Sequence, residues 1–497
     1  MKSTSRKITS VTLVAGMLFG LCACQPAPKK ETVVSKNDGS FDANIAQSAS
    51  GPAEGDAPQN MRLQEQFSST DKSVDFTFDV NLEVPTMALP VVEVVPHMLS
   101  EEDIRRGAYA IFGDVDFYEG LPVLGAPTEL YTKGQIQDFL NRWSAYSSQE
   151  ALDEAFGGPQ SRNREDTVKK FIADYTLYLE DAPDKIDRIP CKWKLQPDYL
   201  YAYTGSDLET VNEPKPNYGI EADLVFEGLP YRFEGNVRDE DDFKYSALYA
   251  MTSRITPAGF DMDLYWCELV NTAEPTDEVM NAAAERVSRW LKDVNLGQWE
   301  VDSCTVNHSY FMGEGVEQWY FTVTAVPVFA GTPVIRRPGL GNLRSEEVYA
   351  SNYDLTDAKF TFNAEGKLLH FRIESPVDVK NILNEHTKTL SMEELVERAK
   401  EQLALSDIYE YDGSIGAEKN DFHCQVQVNR MEYGLTRVKA PNTDESYYYV
   451  PALIIFGSWE TVDQRNGDVW TVVEETPVLI LNAVDGSVIP HNNPSPT

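Results

Sequence analysis

Val74, Phe76, Phe78, Val80, Leu82 and Val84 take every second position, with Asp75, Thr77, Asp79, Asn81 and Glu83 between them. Successive side chains of a strand point to opposite faces, so this pattern predicts a strand buried on one side. A second apolar run, Leu89 to Val95, closes at Pro96. The period then changes. Ser100-Glu101-Glu102-Asp103 reads as a helix start, a capping hydroxyl followed by acids that suit the positive end of the helix dipole. Two more amphipathic helices are predicted, one carrying Ile136, Leu140 and Trp143, the other Val168, Phe171, Ile172, Tyr175 and Leu179. Ile220 to Asn236 returns to alternation, broken by Gly228-Leu229-Pro230, and Asp241 to Arg254 is read as a candidate helix.

From residue 273 the pattern repeats itself. Thr276-Asp277-Glu278 opens a helix whose stripe is Val279, Ala283, Val287, Trp290, Leu291 and Val294. Ser391-Met392-Glu393-Glu394 opens another with a capping box, and Leu395, Ala399 and Leu403 form its stripe. Each helix precedes a strand carrying a cysteine: Cys304, Val306, His308 and Tyr310 share one face, as do Phe422, Cys424, Val426 and Val428. Both faces are read as buried. Aromatic strands follow, Trp319-Tyr320-Phe321 before Val326-Pro327 and Tyr447-Tyr448-Tyr449 before Val450-Pro451. Both copies end on an asparagine-glycine turn, Asn363 to Gly366 and Asn482 to Gly486. Matching positions lie 115 (helix starts), 120 (cysteines), 124 (prolines) and 119 (asparagines) residues apart. Each copy is therefore expected to be one helix packed on an antiparallel sheet, with asparagine and glycine supplying the positive φ of the turns. The fold class is α+β and multi-domain.

The beginning of the chain follows other rules. Lys2, Arg6 and Lys7 precede an apolar core from Val11 to Leu21, and Leu21-Cys22-Ala23-Cys24 has the form of a lipobox. The apolar segment is shorter than the ~20 residues a spanning helix needs. Cleavage between Ala23 and Cys24, with acyl chains added to Cys24, is the expectation; an ordinary secretory cut near Ala23 is the alternative. Gln25 to about Thr70 is rich in Lys, Ser, Gly, Ala, Asn and Pro without periodicity and reads as a flexible tether. The expected organisation is thus a signal peptide (1–23), a tether (24–72), an α+β domain (73–272) and two repeats (273–385 and 386–497).

Charge and composition narrow the partners. The formal charge of −36 becomes three units more negative without Lys2, Arg6 and Lys7, which disfavours nucleic acid and anionic lipid headgroups as ligands. With 42% hydrophobic and 11% aromatic residues the body has material for real cores. Cys191, Cys267, Cys304 and Cys424 remain beyond the signal. An extracytoplasmic setting permits disulfides, but so few cysteines in so long a chain are read as buried free thiols.

The helix, the strands and the closing turn from Leu481 to Ile489 resemble the extracytoplasmic PepSY-type and related cystatin-like modules of Gram-positive bacteria. The lipobox, the tether and the Val91-Val92-Glu93-Val94-Val95-Pro96 block resemble uncharacterised lipoproteins of gut Firmicutes. The first resemblance covers the two repeats and the second most of the mature chain. They imply inhibition of peptidases or regulation of partners, and they bring no catalytic residue.

Candidate chemistry is sparse. The histidines are His97, His308, His370, His386, His423 and His491, and none forms a ligand pair at helical spacing. Cys304 and His308 are half of a conceivable metal or thiol site whose second half is missing. Asp239-Glu240-Asp241-Asp242 reads as a solvated turn. Asp114-Val115-Asp116 with Glu119-Gly120 lacks the glycine and the bidentate acid of a calcium loop. Hydrolase elbows, zinc-protease helices and dinucleotide fingerprints are absent, Gly339-Leu340-Gly341 being isolated. No catalytic residue, metal or cofactor is expected. The tyrosines of 447–449, Trp319-Tyr320 and Tyr199-Leu200-Tyr201 are read as core or as the lining of a peptide or glycan groove. Three readings follow: a lipid-anchored binding or regulatory module whose partner is an envelope protein or peptide; a carboxylate-dependent hydrolase; and a solute-binding lipoprotein.

Overall fold

Strands of the computed structural model sort into two sheets, and each sheet draws on distant parts of the chain. The structure describes residues 45–46, 59–84, 88–120, 132–148, 150–151, 162–198, 217–239, 244–252, 273–310, 317–335, 356–405, 421–440 and 446–489. In chain order the elements begin β1 (Gln59–Ser68), β2 (Val74–Val84), β3 (Val91–Pro96), α1 (Glu101–Phe112) and β4 (Tyr118–Glu119). Then come α2 (Lys133–Ala145), α3 (Arg162–Asp181), β5 (Gln196–Asp198), β6 (Asn217–Phe226), β7 (Leu229–Asp239) and β8 (Lys244–Thr252). The first repeat supplies α4 (Asp277–Val294), β9 (Trp299–Tyr310), β10 (Glu317–Phe329), β11 (Thr332–Pro333), β12 (Asp357–Asn363) and β13 (Leu368–Glu374). β14 (Val377–Asn384), α5 (Met392–Leu403), β15 (Phe422–Lys439), β16 (Tyr447–Asp463) and β17 (Val469–Asn482) complete the fold. It is an α+β fold.

The first sheet runs β1-β2-β15-β16-β3-β14, with β17 beside β16. The second runs β11-β10-β12-β13-β8-β7-β6-β4, with β9 on β10 and β5 on β6. Neighbours are antiparallel except β2 and β15, which pair in parallel from Cys424 opposite Val74 to Val428 opposite Phe78. Residues 74–96 therefore belong to the sheet of the last repeat, and residues 217–252 to the sheet of the first. Strand pairing crosses both boundaries drawn from the sequence at 272 and 385.

Helices start where the capping residues place them. Ser100 and Ser391 each close a capping box, with Asp103 and Glu394 as reciprocal acceptors, and Thr276 caps α4. α1 and α4 lie side by side on the second sheet, and the Arg106 Nε donates to the last carbonyl of α4, Val294, at 2.9 Å. Their apolar stripes bury Ile104, Phe112, Val287 and Leu291 against Phe233, Phe360 and Phe371. Gly235 lies directly under Ile104, where a methyl would collide with that side chain. α5 covers the first sheet, its Leu395, Ala399 and Leu403 packing on Phe76, Phe78, Val426 and Leu453. α2 and α3 form a hairpin with a small core of its own, in which Trp143 stacks on Phe171 at 5.6 Å. Each repeat is a helix on an antiparallel sheet, and each closes on an asparagine turn. Asn363 and Asn482 both accept backbone N–H groups through Oδ1, and Gly366 and Gly486 stand at φ 81° and 76°.

Three expectations are corrected. The stretch read as tether contains a strand: β1, which begins at Gln59, pairs with β2 throughout its length. It was hidden because an edge strand needs little apolar surface, and of its residues only Leu63 is buried. The candidate helix at 241–254 is β8, a central strand between β7 and β13 whose small Ser246, Ala247 and Ala250 are buried. The third concerns β9. Its Cys304 and His308 are exposed, because β9 is an edge strand that among the described residues pairs only with β10.

Candidate functional site

β4 and β5 pair with the same side of β6, one after the other. Tyr118 and Glu119 lie opposite Asp223 and Ala222, while Gln196 to Asp198 lie opposite Gly219, Tyr218 and Asn217. Between them the Gly120 N–H donates to the Glu221 carbonyl at 3.2 Å. Two short pieces thus cover an edge that would otherwise offer unpaired backbone groups. A half-open cleft of about 460 Å³ lies where they part, bordered by Glu119, Lys192, Trp193, Lys194, Glu221 and Asn236. That volume is within the range of ligand sites.

Two glycines make the cleft. A side chain at Gly120 would meet the Glu221 side chain at 2.9 Å, and one at Gly219 would lie 3.2 Å from the Asn236 Oδ1. Isolated glycines beside or within strands mark such close approaches. The third device is Trp193, whose φ of 52° puts a bulky residue in the left-handed region. Such a residue is a genuine outlier and is retained only when its surroundings over-determine it. Here Tyr109, Phe117 and Phe233 hold the indole at centroid distances of 5.8, 5.1 and 6.2 Å, and the Leu195 N–H donates to Glu101 Oε1 at 3.1 Å.

Charge in the cleft is balanced and supported from behind. Lys192 pairs with Glu119 at 2.7 Å. Arg232 lies 3.6 Å from Glu221 and donates from Nε to Asp223 Oδ1 at 3.1 Å, while Arg188 holds the other oxygen of Asp223 at 3.2 Å. The Arg232 and Asp223 side chains are each only 8% exposed, so this network fixes Glu221 from the protein interior. The Cys191 thiol also lines the cleft, and burial pushes its pKa up, away from a reactive thiolate. Glu119 and Glu221 place two carboxylates on one cleft. Each has a cationic partner.

Elsewhere the polar groups are structural. Ser68 and His423 both bind Asp75, at 2.5 and 3.0 Å. The hydroxyl donates to the carboxylate and not to the imidazole, so the arrangement is a cross-strand tie and not a nucleophile with its base. His97 joins Asp378 at 2.9 Å to Asp103 at 3.4 Å where the chain passes from β3 to α1. Cys304 and His308, four apart on a strand, are separated by ~13 Å and cannot share a ligand; His308 instead lies against Trp319 at 5.3 Å. Tyr447 and Tyr449 are core, and Asp239 pairs with Lys244 at 2.6 Å. No group of three potential metal ligands occurs among the described residues. Ala23, Cys24, Tyr199-Leu200-Tyr201, Glu240-Asp241-Asp242, Cys267, Gly339-Leu340-Gly341 and His491 lie outside the described residues.

Nothing in the sequence reading pointed to this cleft. The available signals were Gly219 within an alternating strand, Gly120 beside the discarded calcium pattern, and the alternating Lys192-Trp193-Lys194.

No protein-family model matches the chain. No curated protein matches it either. Among solved structures, an uncharacterized protein from Eubacterium rectale ATCC 33656 is similar over 90% of this chain and 97% of its own, at 9% identity and a TM-score of 0.37.

Proposed function

We propose that this chain is an extracytoplasmic lipoprotein, anchored through acylated Cys24, that binds an extended segment of an envelope protein or a peptide in the cleft beside β6. The cleft carries this reading. Its half-open shape admits a chain passing through it, and it offers carboxylates, lysines and amides with an indole in their midst. Such a lining matches a peptide, which presents backbone donors and acceptors along its length. The ion-paired state of Glu119 and Glu221 favours binding over hydrolysis. The PepSY-like resemblance of the repeats supports the same class. In this reading the repeats are the scaffold: helix α4 and the sheet of the first repeat hold β6 in place from the far side.

Titration of the mature chain with a library of short unstructured peptides tests the proposal. Binding should be lost in Gly219→Val, whose side chain enters the cleft at some cost in stability beside Asn236, and weakened in Lys194→Glu, on the exposed rim, with the thermal midpoint unchanged. Equal binding by wild type and Gly219→Val would move the site elsewhere, and cleavage of peptides, lost in Glu221→Gln, would replace binding by hydrolysis. For the anchor, Cys24→Ser should abolish incorporation of labelled fatty acid; retention of a processed chain in the membrane would refute it.

A further inference from the structure

Ile45 lies far from the rest of the described chain in sequence and yet packs on the first sheet. It and Leu383 both sit against the cluster of Val91, Val450, Ile454, Phe456 and Ile480. Its carbonyl accepts from Asn384 Nδ2 at 2.8 Å, at the last residue of β14. β14 is the edge of this sheet; β1, which begins at Gln59, is the opposite edge. Five strand spacings separate them, ~24 Å at ~4.8 Å each. The fourteen residues from Ile45 to Gln59 reach at most ~46 Å, so the chain has length enough for the crossing.

We infer that the surface at the end of β14 is a docking site for the chain's own N-terminal segment, with Ile45 as its apolar plug. Ile45 adds to a covering that Ile335, Leu383, Val438 and Tyr448 also supply, and under it Ile454 and Phe456 are fully buried on the face away from α5. The side-chain amide of Asn384 provides the polar contact. The consequence rests on the lipid-anchor reading above. Only the twenty residues 25–44 then act as a leash. Their length allows at most ~66 Å at ~3.3 Å per residue. The body is mounted close to the membrane by its β14 side, and not suspended on the whole of the stretch before β2.

Cross-linking in the full-length protein tests the docking. Ile45→Cys paired with Leu383→Cys should be joined by a short thiol cross-linker, identified by peptide mass mapping, whereas Ile45→Cys with the exposed Val225→Cys on β6 should not. Limited proteolysis is the second measurement. Sites at 46–58 should be cut about tenfold more slowly than sites at 25–44, and Ile45→Asp should abolish that difference. Equal cutting on both sides of residue 45, or equal cross-linking to 383 and 225, would overturn the inference. The anchor is read separately: a cross-link between 45 and 383 without fatty-acid labelling of Cys24 sinks the lipoprotein reading and leaves the docking intact.

Discussion

Cys424 lies on β15 between Phe422 and Val426, fully buried in the core that α5 covers, and burial pushes its thiol to about 11. Cys304, at the corresponding place in the first repeat, is exposed on the edge strand β9. The difference arises one strand away. β15 has β2 on its free side, supplied from the far end of the chain, while β9 has no such neighbour among the described residues. Alkylation of the native protein at pH 8 should therefore label Cys304 and leave Cys424 untouched until denaturant is added. Mass mapping reads the result directly, and native-state labelling of Cys424 would contradict the packing. Residue-level reading of the sequence equated these two cysteines because the local pattern is the same; which strand lies alongside is not a local property.

The starts of α1, α4 and α5 were legible because their determinants are local, whereas only the apolar stripes of α2 and α3 were read. Ser100, Thr132, Thr276 and Ser391 each accept from a backbone N–H three residues on, as a capping residue does. β2 was legible from its alternation, and the asparagine turns from their φ requirements. β1 and β8 were not: one buries too little to show a period, and the other carries buried Ser246, Ala247 and Ala250, small residues that suit either structure, with Tyr245, Tyr249 and Met251 half-buried on its second face. The cleft was illegible for a further reason, since β4, β5 and β6 meet there from three separate stretches of chain. Contacts between elements follow the same logic. On α4, Arg286 lies over the rings of Trp290 and Phe362 at 4.8 and 5.0 Å, donates to the Gly366 carbonyl and pairs with Glu227 at 3.2 Å. One side chain thus ties the helix to the β6–β7 turn and the β12–β13 turn. Arg286→Ala should lower unfolding stability by about 2 kcal/mol, since it removes charge-assisted hydrogen bonds and two cation–π contacts. Arg286→Lys should recover only part of this, because a point charge cannot serve both turns and both rings. Urea unfolding compares the two; equal stability of wild type and alanine variant would show that the tie is ornamental to the fold.

At the scale of the whole molecule, acid should weaken the fold in two windows set by two groups. His370, on β13 beside Tyr249, has its pKa lowered to about 4 by burial and by the nearby Arg372. From pH 6.5 down to about 4 the unfolded chain takes up a proton there that the native chain refuses. Stability then falls with pH, by as much as about 3 kcal/mol from this group. Asp103 acts lower. Burial alone would raise its pKa, but the Ser100 hydroxyl and N–H, Arg106 and His97 outweigh that and bring it to about 2. Its stabilisation, about 2 kcal/mol, is complete above pH 4 and is lost as pH falls through 2. The two windows are separable because the groups sit on different elements, one at the start of α1 and the other on β13, and their native pKa values differ, about 2 against about 4. His370→Gln should therefore flatten the slope between pH 6.5 and 4 and leave the lower window unchanged. Asp103→Asn should do the reverse, with reduced stability already at pH 7 and a gap from wild type that closes toward pH 2. Urea midpoints measured at half-unit pH intervals resolve the two; a wild-type slope that survives in His370→Gln would assign the upper window to other groups.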